Sequence, residues 1–451
     1  MTTKVRDSRA AACLAVGTMA LAVGCGSRPG DSRAVATRAS SGEVAPSAAA
    51  TNVAKPACAP DNGGITLPAG FCATIFDDEA GTPRNIAVAP NGDVFVNRSS
   101  RRAGGVLALR DTNGDGKADV RQTFGDGTGT GIALAPGWIY VEQTTSIVRY
   151  PLPAGSLTPN GSAQTIVSGF PPGGHDAHPF VLDGKGNLYV DIGSPSNSCQ
   201  EKDRAPKVPG KDPCTELDTR AGVWRYDANK TDQQHSGANR YATGLRNAEG
   251  LAFNPADGVL YATSHGRDQL AQNWGFTEQQ GAELPAEELF KVDRGIDGGW
   301  PYCYYDQIQK KKVLAPEYGG DGKQVGRCAG KSEPVVAFPG HWAPMATLFY
   351  TGRAFPAKYR DGAFVAFHGS WNRLPLPQAG FRVSFAPMSR GKFTGTYETF
   401  ADGFAGGEVH AMPGPSTVAH RPAGLAQAPD GGLYVTDDTH GRIWKIVYVG
   451  R

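Results

Sequence analysis

Six times along the chain a short apolar run enters a turn built on Pro, Asn or Asp and Gly, then leaves it as a strand. The copies are Ala89–Gly92 leading to Val96, Ala135–Gly137 to Val141, Leu182–Gly184 to Val190, Asn254–Gly258 to Ala262, Arg360–Gly362 to Val365 and Ala428–Gly431 to Val435. A second strand follows each copy: Gly105–Leu109, Ser146–Tyr150, Gly222–Tyr226, Glu288–Val292, Gly380–Ser384 and Gly441–Ile446. One such unit cannot bury both of its apolar faces, so the copies must pack around a common axis. Six four-stranded units make an all-β, six-bladed β-propeller, whose channel mouth is where chemistry is expected.

Composition agrees with many tight turns: 60 Gly and 33 Pro punctuate the sequence. The N-terminus reads differently. Lys4, Arg6 and Arg9 precede the apolar stretch Ala10–Gly24, which ends in small residues before Cys25. This is an export leader, too short for a spanning helix, with a lipoprotein-type junction at Cys25 or ordinary cleavage nearby. Residues 25–56 read as a flexible linker and 57–451 as the propeller. The formal charge is +2, and removing residues 1–24 leaves a neutral body without a basic stripe, so nucleic acid is not an expected partner. Any membrane contact runs through the N-terminal anchor. Six cysteines remain beyond the leader and Cys25, an even number that favours disulfides in an exported protein. Pairing neighbours, 58–72, 199–214 and 303–328, is the simplest arrangement.

Equal offsets in successive blades should fall on one ring. Thr82, Thr128, His175, Asn247 and Arg421 stand at the same distance before the turn, and Ala343 is placed by strand pattern. Most are polar, and Arg246 and His420 adjoin them. A mixed polar set at a strand entrance is a modest indication by itself.

The surrounding residues carry a closer likeness. The segment from Gly173 to Ser194 with His175, the L-R-N-A-x-G-L-A-F motif around Arg246 and Asn247, Gly299–Pro301, H-G-S-W-N-R at His368–Arg373, and Arg421–Ala426 together resemble the soluble PQQ-dependent sugar dehydrogenases, most like the L-sorbosone dehydrogenase-type branch. The likeness covers roughly residues 65–449. It implies pyrroloquinoline quinone (PQQ) across the channel mouth, a Ca²⁺ ion, a small sugar or sugar-aldehyde substrate and an external electron acceptor. His175 stands at the general-base position, which suits an imidazole titrating near neutrality. Arg246, Asn247 and Arg421 match cofactor-holding residues, and a guanidinium fork suits a tricarboxylate. Gly266 and Arg267 fall where main-chain carbonyls hold calcium, and Glu287 and Glu288 where acids hold a further one.

The departures concern substrate. Thr128, expected among the cofactor-binding residues, replaces a Gln of the glucose enzymes, Gly174 replaces an Asp before the base, and Arg373 is expected to serve for a missing Lys that holds the cofactor. His178, three residues after His175, reads as structural, since extended spacing turns the two rings to opposite faces. Asp111, Asn113, Asp115 and Asp119 follow a calcium-loop pattern without its closing Glu, which a solvated hairpin turn explains equally well. Two other readings remain on the same architecture. One is a calcium-dependent lactonase, which needs converging carboxylates that this ring lacks; the other is a glycan- or protein-binding propeller.

Overall fold

The computed structural model describes residues 58–99, 104–409 and 417–450. The leader, Cys25 and the linker lie outside the described residues. The recurring turn joins the first and second strands of each blade, so the sequence repeat is the blade repeat. Blade 1 runs Pro83–Val88, Val94–Arg98, Val106–Arg110 and Val120–Phe124 in antiparallel order. Blades 2 to 5 begin at Ile132, Phe180, Gly250 and Pro344, and blade 6 at Pro422. The outermost strand of blade 6 is Phe71–Asp77, which pairs with Ile443–Tyr448 and so closes the ring with chain from the far end of the sequence.

Adjacent blades hold each other through apolar layers. Blades 1 and 2 share Phe95, Ile132, Ile139 and Val148; blades 5 and 6 share Phe355, Phe364, Phe385, Val435 and Trp444. Second strands are buried along their length, as in Val94–Arg98 and Gly362–Phe367, because a layer covers each face.

Polar ties run between blades as well. The corresponding second-strand positions Asn97, Glu142, Asp191, Thr263 and Thr436 are all buried. Asn97 Nδ2 donates to Gly131 O at 3.0 Å and Thr436 Oγ1 to Arg84 O at 2.8 Å, each in the next blade. Glu142 accepts from the Thr130, Gly131 and His178 amides at 2.8, 2.6 and 2.8 Å. His178 is thereby a structural residue, stacked edge-on against Phe170.

Cys58–Cys72, Cys199–Cys214 and Cys303–Cys328 are bonded, the neighbour pairing expected from sequence. Two clip a large insertion over the channel mouth: a loop through residues 194–220, the short helices Leu270–Trp274 and Glu278–Glu283, and the hairpin Cys303–Asp306 with Lys311–Leu314. Among the described residues no helix is long and apolar enough to cross a membrane. The Asp111 loop joins two strands of blade 1 and is closed by its own backbone. Asp111 accepts from Gly114 N at 2.7 Å and Gly116 N at 2.9 Å, and Asp119 from Thr112 N at 3.1 Å, the hairpin-turn arrangement.

Burial raises the Glu142 carboxyl to about 7. A raised carboxyl contributes stability that is full below its unfolded value and is lost as pH rises through about 7. Glu142→Gln stays neutral throughout. Chemical denaturation should therefore show the advantage of wild type over this variant shrinking by about 2 kcal/mol between about pH 5 and about pH 8. A constant difference would contradict a buried, hard-to-ionise Glu142.

Candidate functional site

A cavity of about 340 Å³ opens at the channel mouth, lined from five of the six blades. Blade 1 supplies Arg84; blade 3 and its loop, His175 and Arg204; blade 4, Arg246, Asn247, Glu249, His265, Gly266, Asp268 and Glu287. Blade 5 and its exit loop bring His341, Ala343, His368, Trp371 and Asn372, and blade 6 brings Arg421. His175, Arg246, Asn247, Ala343 and Arg421 thus converge as rotation about one axis requires.

His175 is held in one tautomer. Its Nδ1 lies 2.7 Å from Ser194 O, an acceptor only, so Nδ1 carries the proton and Nε2 keeps its lone pair. Burial, and then the Arg246 charge, lower this imidazole to about 3, so it is neutral at ordinary pH. Two glycines make the fit. A Cβ on Gly193 would lie 2.6 Å from His175 Cβ and 2.7 Å from Asn247 Oδ1. Gly174 has φ +67° and a Cβ there would collide with Pro195, which accounts for the absent Asp before the base.

Asp268 is the electrostatic hub. Its Oδ2 accepts from Arg204 Nη2 at 2.9 Å and Arg246 Nη2 at 3.2 Å, and its Oδ1 from Asn372 Nδ2 at 2.8 Å. Burial opposes its ionisation, but Arg246, His341 and Arg204 outweigh that and hold the carboxyl well below the usual range. Arg246 also donates to Asn197 O at 3.1 Å and Gly266 O at 2.9 Å. A second chain runs His368 Nε2 to Asp438 Oδ1 at 2.5 Å, then Asp438 Oδ2 to Arg84 Nη1 at 2.7 Å, with Glu249 3.5 Å from Arg84.

Arg421 differs from the other three arginines of the cavity. Its Nε and Nη2 donate to the His368 and Gly369 carbonyls, each at 2.8 Å, and among the described residues no carboxylate pairs with its guanidinium. Burial lowers it to about 10, the more distant Asp438 carboxylate opposing and the Arg84 charge adding to the effect. A buried guanidinium satisfied only by neutral carbonyls has charge left for an anion.

Other expected residues lie elsewhere. Thr128 does not line the cavity; its Oγ1 is 3.4 Å from Thr144 Oγ1. Thr82 does not line the cavity either, and blade 1 contributes Arg84 instead. The break in register between Pro83 and Ile86 recurs between Pro422 and Leu425 in blade 6, where Arg421 keeps its place, so it does not account for the difference. Arg373 is buried outside the cavity, donating to Glu283 Oε1 at 2.6 Å and Gly340 O at 3.0 Å. The Arg267 side chain, as distinct from the main-chain carbonyl that the calcium expectation concerns, forms a buried pair with Glu317, and Glu288 meets Lys312 Nζ at 2.6 Å. Glu287 does line the cavity, but both its oxygens accept main-chain amides: Gly266 N at 2.9 Å and Ala343 N at 3.3 Å. Burial raises it to about 7. Arg84 and Asp268 carry no motif, whereas Glu249 stands at the unspecified position of L-R-N-A-x-G-L-A-F and His368 opens H-G-S-W-N-R.

A sequence model of the TrAA12-like family matches residues 65–449. A pyrroloquinoline quinone-dependent pyranose dehydrogenase of Coprinopsis cinerea is 28% identical over 229 residues, covering 45% of this chain and 30% of its own length. An uncharacterized protein of Borreliella burgdorferi is 24% identical over 286 residues, 61% of each chain. The matches therefore span less than two thirds of either relative. Among solved structures, the calcium structure of the Trichoderma reesei family AA12 carbohydrate-active enzyme has a TM-score of 0.71 at 18% identity, covering 88% of this chain and 99% of that one. The holo PQQ domain of the Coprinopsis cinerea pyranose dehydrogenase has a TM-score of 0.67 at 20% identity, covering 85% and 97%. At such identities the likeness is one of fold.

Asp268→Asn should cost about 3 kcal/mol in denaturant unfolding, because it leaves the buried Arg246 without its carboxylate. A loss below about 1 kcal/mol would mean that water already shares this charge.

Proposed function

Because the chain belongs to the TrAA12-like family, we propose that it is a PQQ-dependent dehydrogenase of a sugar or sugar aldehyde. The observation that carries the reading is the single cavity shared by the lone-pair nitrogen of His175 and the carboxylate-free guanidinium of Arg421. The residues fit the cofactor's chemistry: a tricarboxylate needs cationic forks, and Arg421 offers one without first breaking an ion pair, with Arg246 and Asn247 on the facing side. Asn247 Oδ1 is also a buried acceptor without a partner among the described residues. When bound, the quinone supplies the hydride acceptor.

The rest is the work of this chain. His175 Nε2 takes the proton of the substrate hydroxyl, and the Nδ1–Ser194 bond keeps the imidazole in the accepting tautomer while its charge develops. Asp268 fixes Arg204, Arg246 and Asn372, so the cavity walls need little rearrangement on binding. Calcium is the narrower part of the proposal. A main-chain oxygen at Gly266 suits a hard cation, but an ion there has to share it with Arg246 Nη1. We assign it no step.

Both oxygens of Asp268 and of Glu287 are committed, and Glu249 faces Arg84, so the cavity acids are poorly disposed for a metal-dependent lactonase. The three disulfides fit an oxidising compartment outside the cytoplasm, and export with anchorage through Cys25 completes the proposal.

His175→Ala should lower kcat at least about 100-fold with PQQ still bound by absorbance; unchanged turnover would remove it as the base. A base must be deprotonated to act, so with His175 at about 3 its contribution to kcat/KM should hold steady through neutral pH and fall only as pH approaches that value. Loss of activity between about pH 7 and about pH 6, absent in His175→Gln, would contradict a depressed imidazole. Arg421→Ala should weaken PQQ about tenfold or more in an equilibrium titration; unaltered affinity would show that the anion site lies elsewhere.

A further inference from the structure

Trp371 is half exposed, at 50%, on the rim of the cavity. The chain on both sides of it is pinned. Ser370 Oγ donates to Gln378 Oε1 at 2.6 Å, Asn372 Nδ2 to Asp268 Oδ1 at 2.8 Å, and buried Arg373 to Glu283 at 2.6 Å. A segment held this firmly nonetheless leaves its largest apolar side chain in water, forgoing much of the stabilisation that burial would bring. Beneath the rim, among the residues lining the cavity, Asn372 Oδ1 is a buried acceptor without a partner among the described residues, so a hydroxyl has to displace its cover to reach it.

We infer that Trp371 and Asn372 form a subsite for the ring of a pyranose. Such a ring has one face of C–H groups, which an indole plane covers, and an edge of hydroxyl donors, which an unmet amide oxygen accepts. An exposed indole on a pinned loop is also an entropically inexpensive platform, since little of it has to be ordered on binding. A polycarboxylate is better served by Arg421 and Arg246 deeper in the cavity, which leaves the rim to the neutral ligand. The inference rests on the sugar-dehydrogenase reading and adds how the sugar is held.

The test combines calorimetric titration of the cofactor-free chain with a panel of aldopyranoses and steady-state kinetics of the PQQ-loaded chain. Trp371→Ala should weaken sugar binding and raise KM about tenfold, with kcat changed less than about threefold, and Trp371→Phe should restore most of the loss. Equal affinity and KM in wild type and Trp371→Ala would overturn the inference and leave the dehydrogenase reading standing. A Trp371→Ala variant that loses PQQ affinity while keeping its sugar KM would also overturn it, by giving the indole to the quinone. A wild-type chain that neither binds nor oxidises any sugar of the panel would instead sink the functional reading, and this inference with it.

Discussion

The fold depends on how blades hold their neighbours, and blades 1, 2 and 6 grip the backbone of the next one directly. Apolar layers supply most of the attraction between blades, yet they are non-directional and would tolerate rotation or slippage. Direction comes from the buried polar residue near the end of the second strand in five blades, blade 5 having Ala366 at that position. Asn97 reaches Gly131 O, Glu142 gathers three amides as far as His178, and Thr436 reaches Arg84 O. In the low-dielectric interior an unmet partner is expensive, so each tie fixes the next inner strand in register. Asp191 holds the same position in blade 3, where burial pushes its carboxyl well above the ordinary range.

Register at the inner strands is what makes a site. The segments entering those strands carry His175, Asn247, Ala343 and Arg421, so fixing the strands fixes the rim of the channel. The rim is charged, and its balance decides what it can bind. Arg204 and Arg246 share Asp268, with Asp203 3.7 Å from Arg204 as a second carboxylate, and Arg84 pairs with Asp438 and Glu249. Arg421 alone of the four lacks a carboxylate among the described residues. The cavity therefore presents one unspent cation opposite one neutral, correctly protonated imidazole, with a tryptophan at the lip.

Much of this was legible in the sequence because propeller geometry is periodic. The turn motif located all six first-to-second strand connections, and neighbour pairing located the disulfides. Equal offsets brought His175, Asn247 and Arg421 to one cavity. The ruler failed at Thr82 and Thr128, neither of which lines the cavity, and blade 1 is represented there by Arg84. It also could not follow chain outside the blades: Arg204 and Asp268 come from insertions whose path no repeat constrains. Asp268 illustrates the limit. It has no motif of its own, and its role exists only because four separate segments meet around it. Arg373 shows the converse, a residue within a recognisable motif that folding spends on Glu283 and main-chain carbonyls.

The claim at the centre of this account is that blades 3, 4 and 6 together form a receptor for a quinone polycarboxylate that a sugar can reduce. An absorbance titration of the purified chain with PQQ, followed by addition of an aldose, tests it most directly. The account predicts saturable uptake of one quinone per chain and then its conversion to the reduced spectrum on adding sugar. A chain that shows no saturable uptake, or takes up quinone that no sugar reduces, would contradict it.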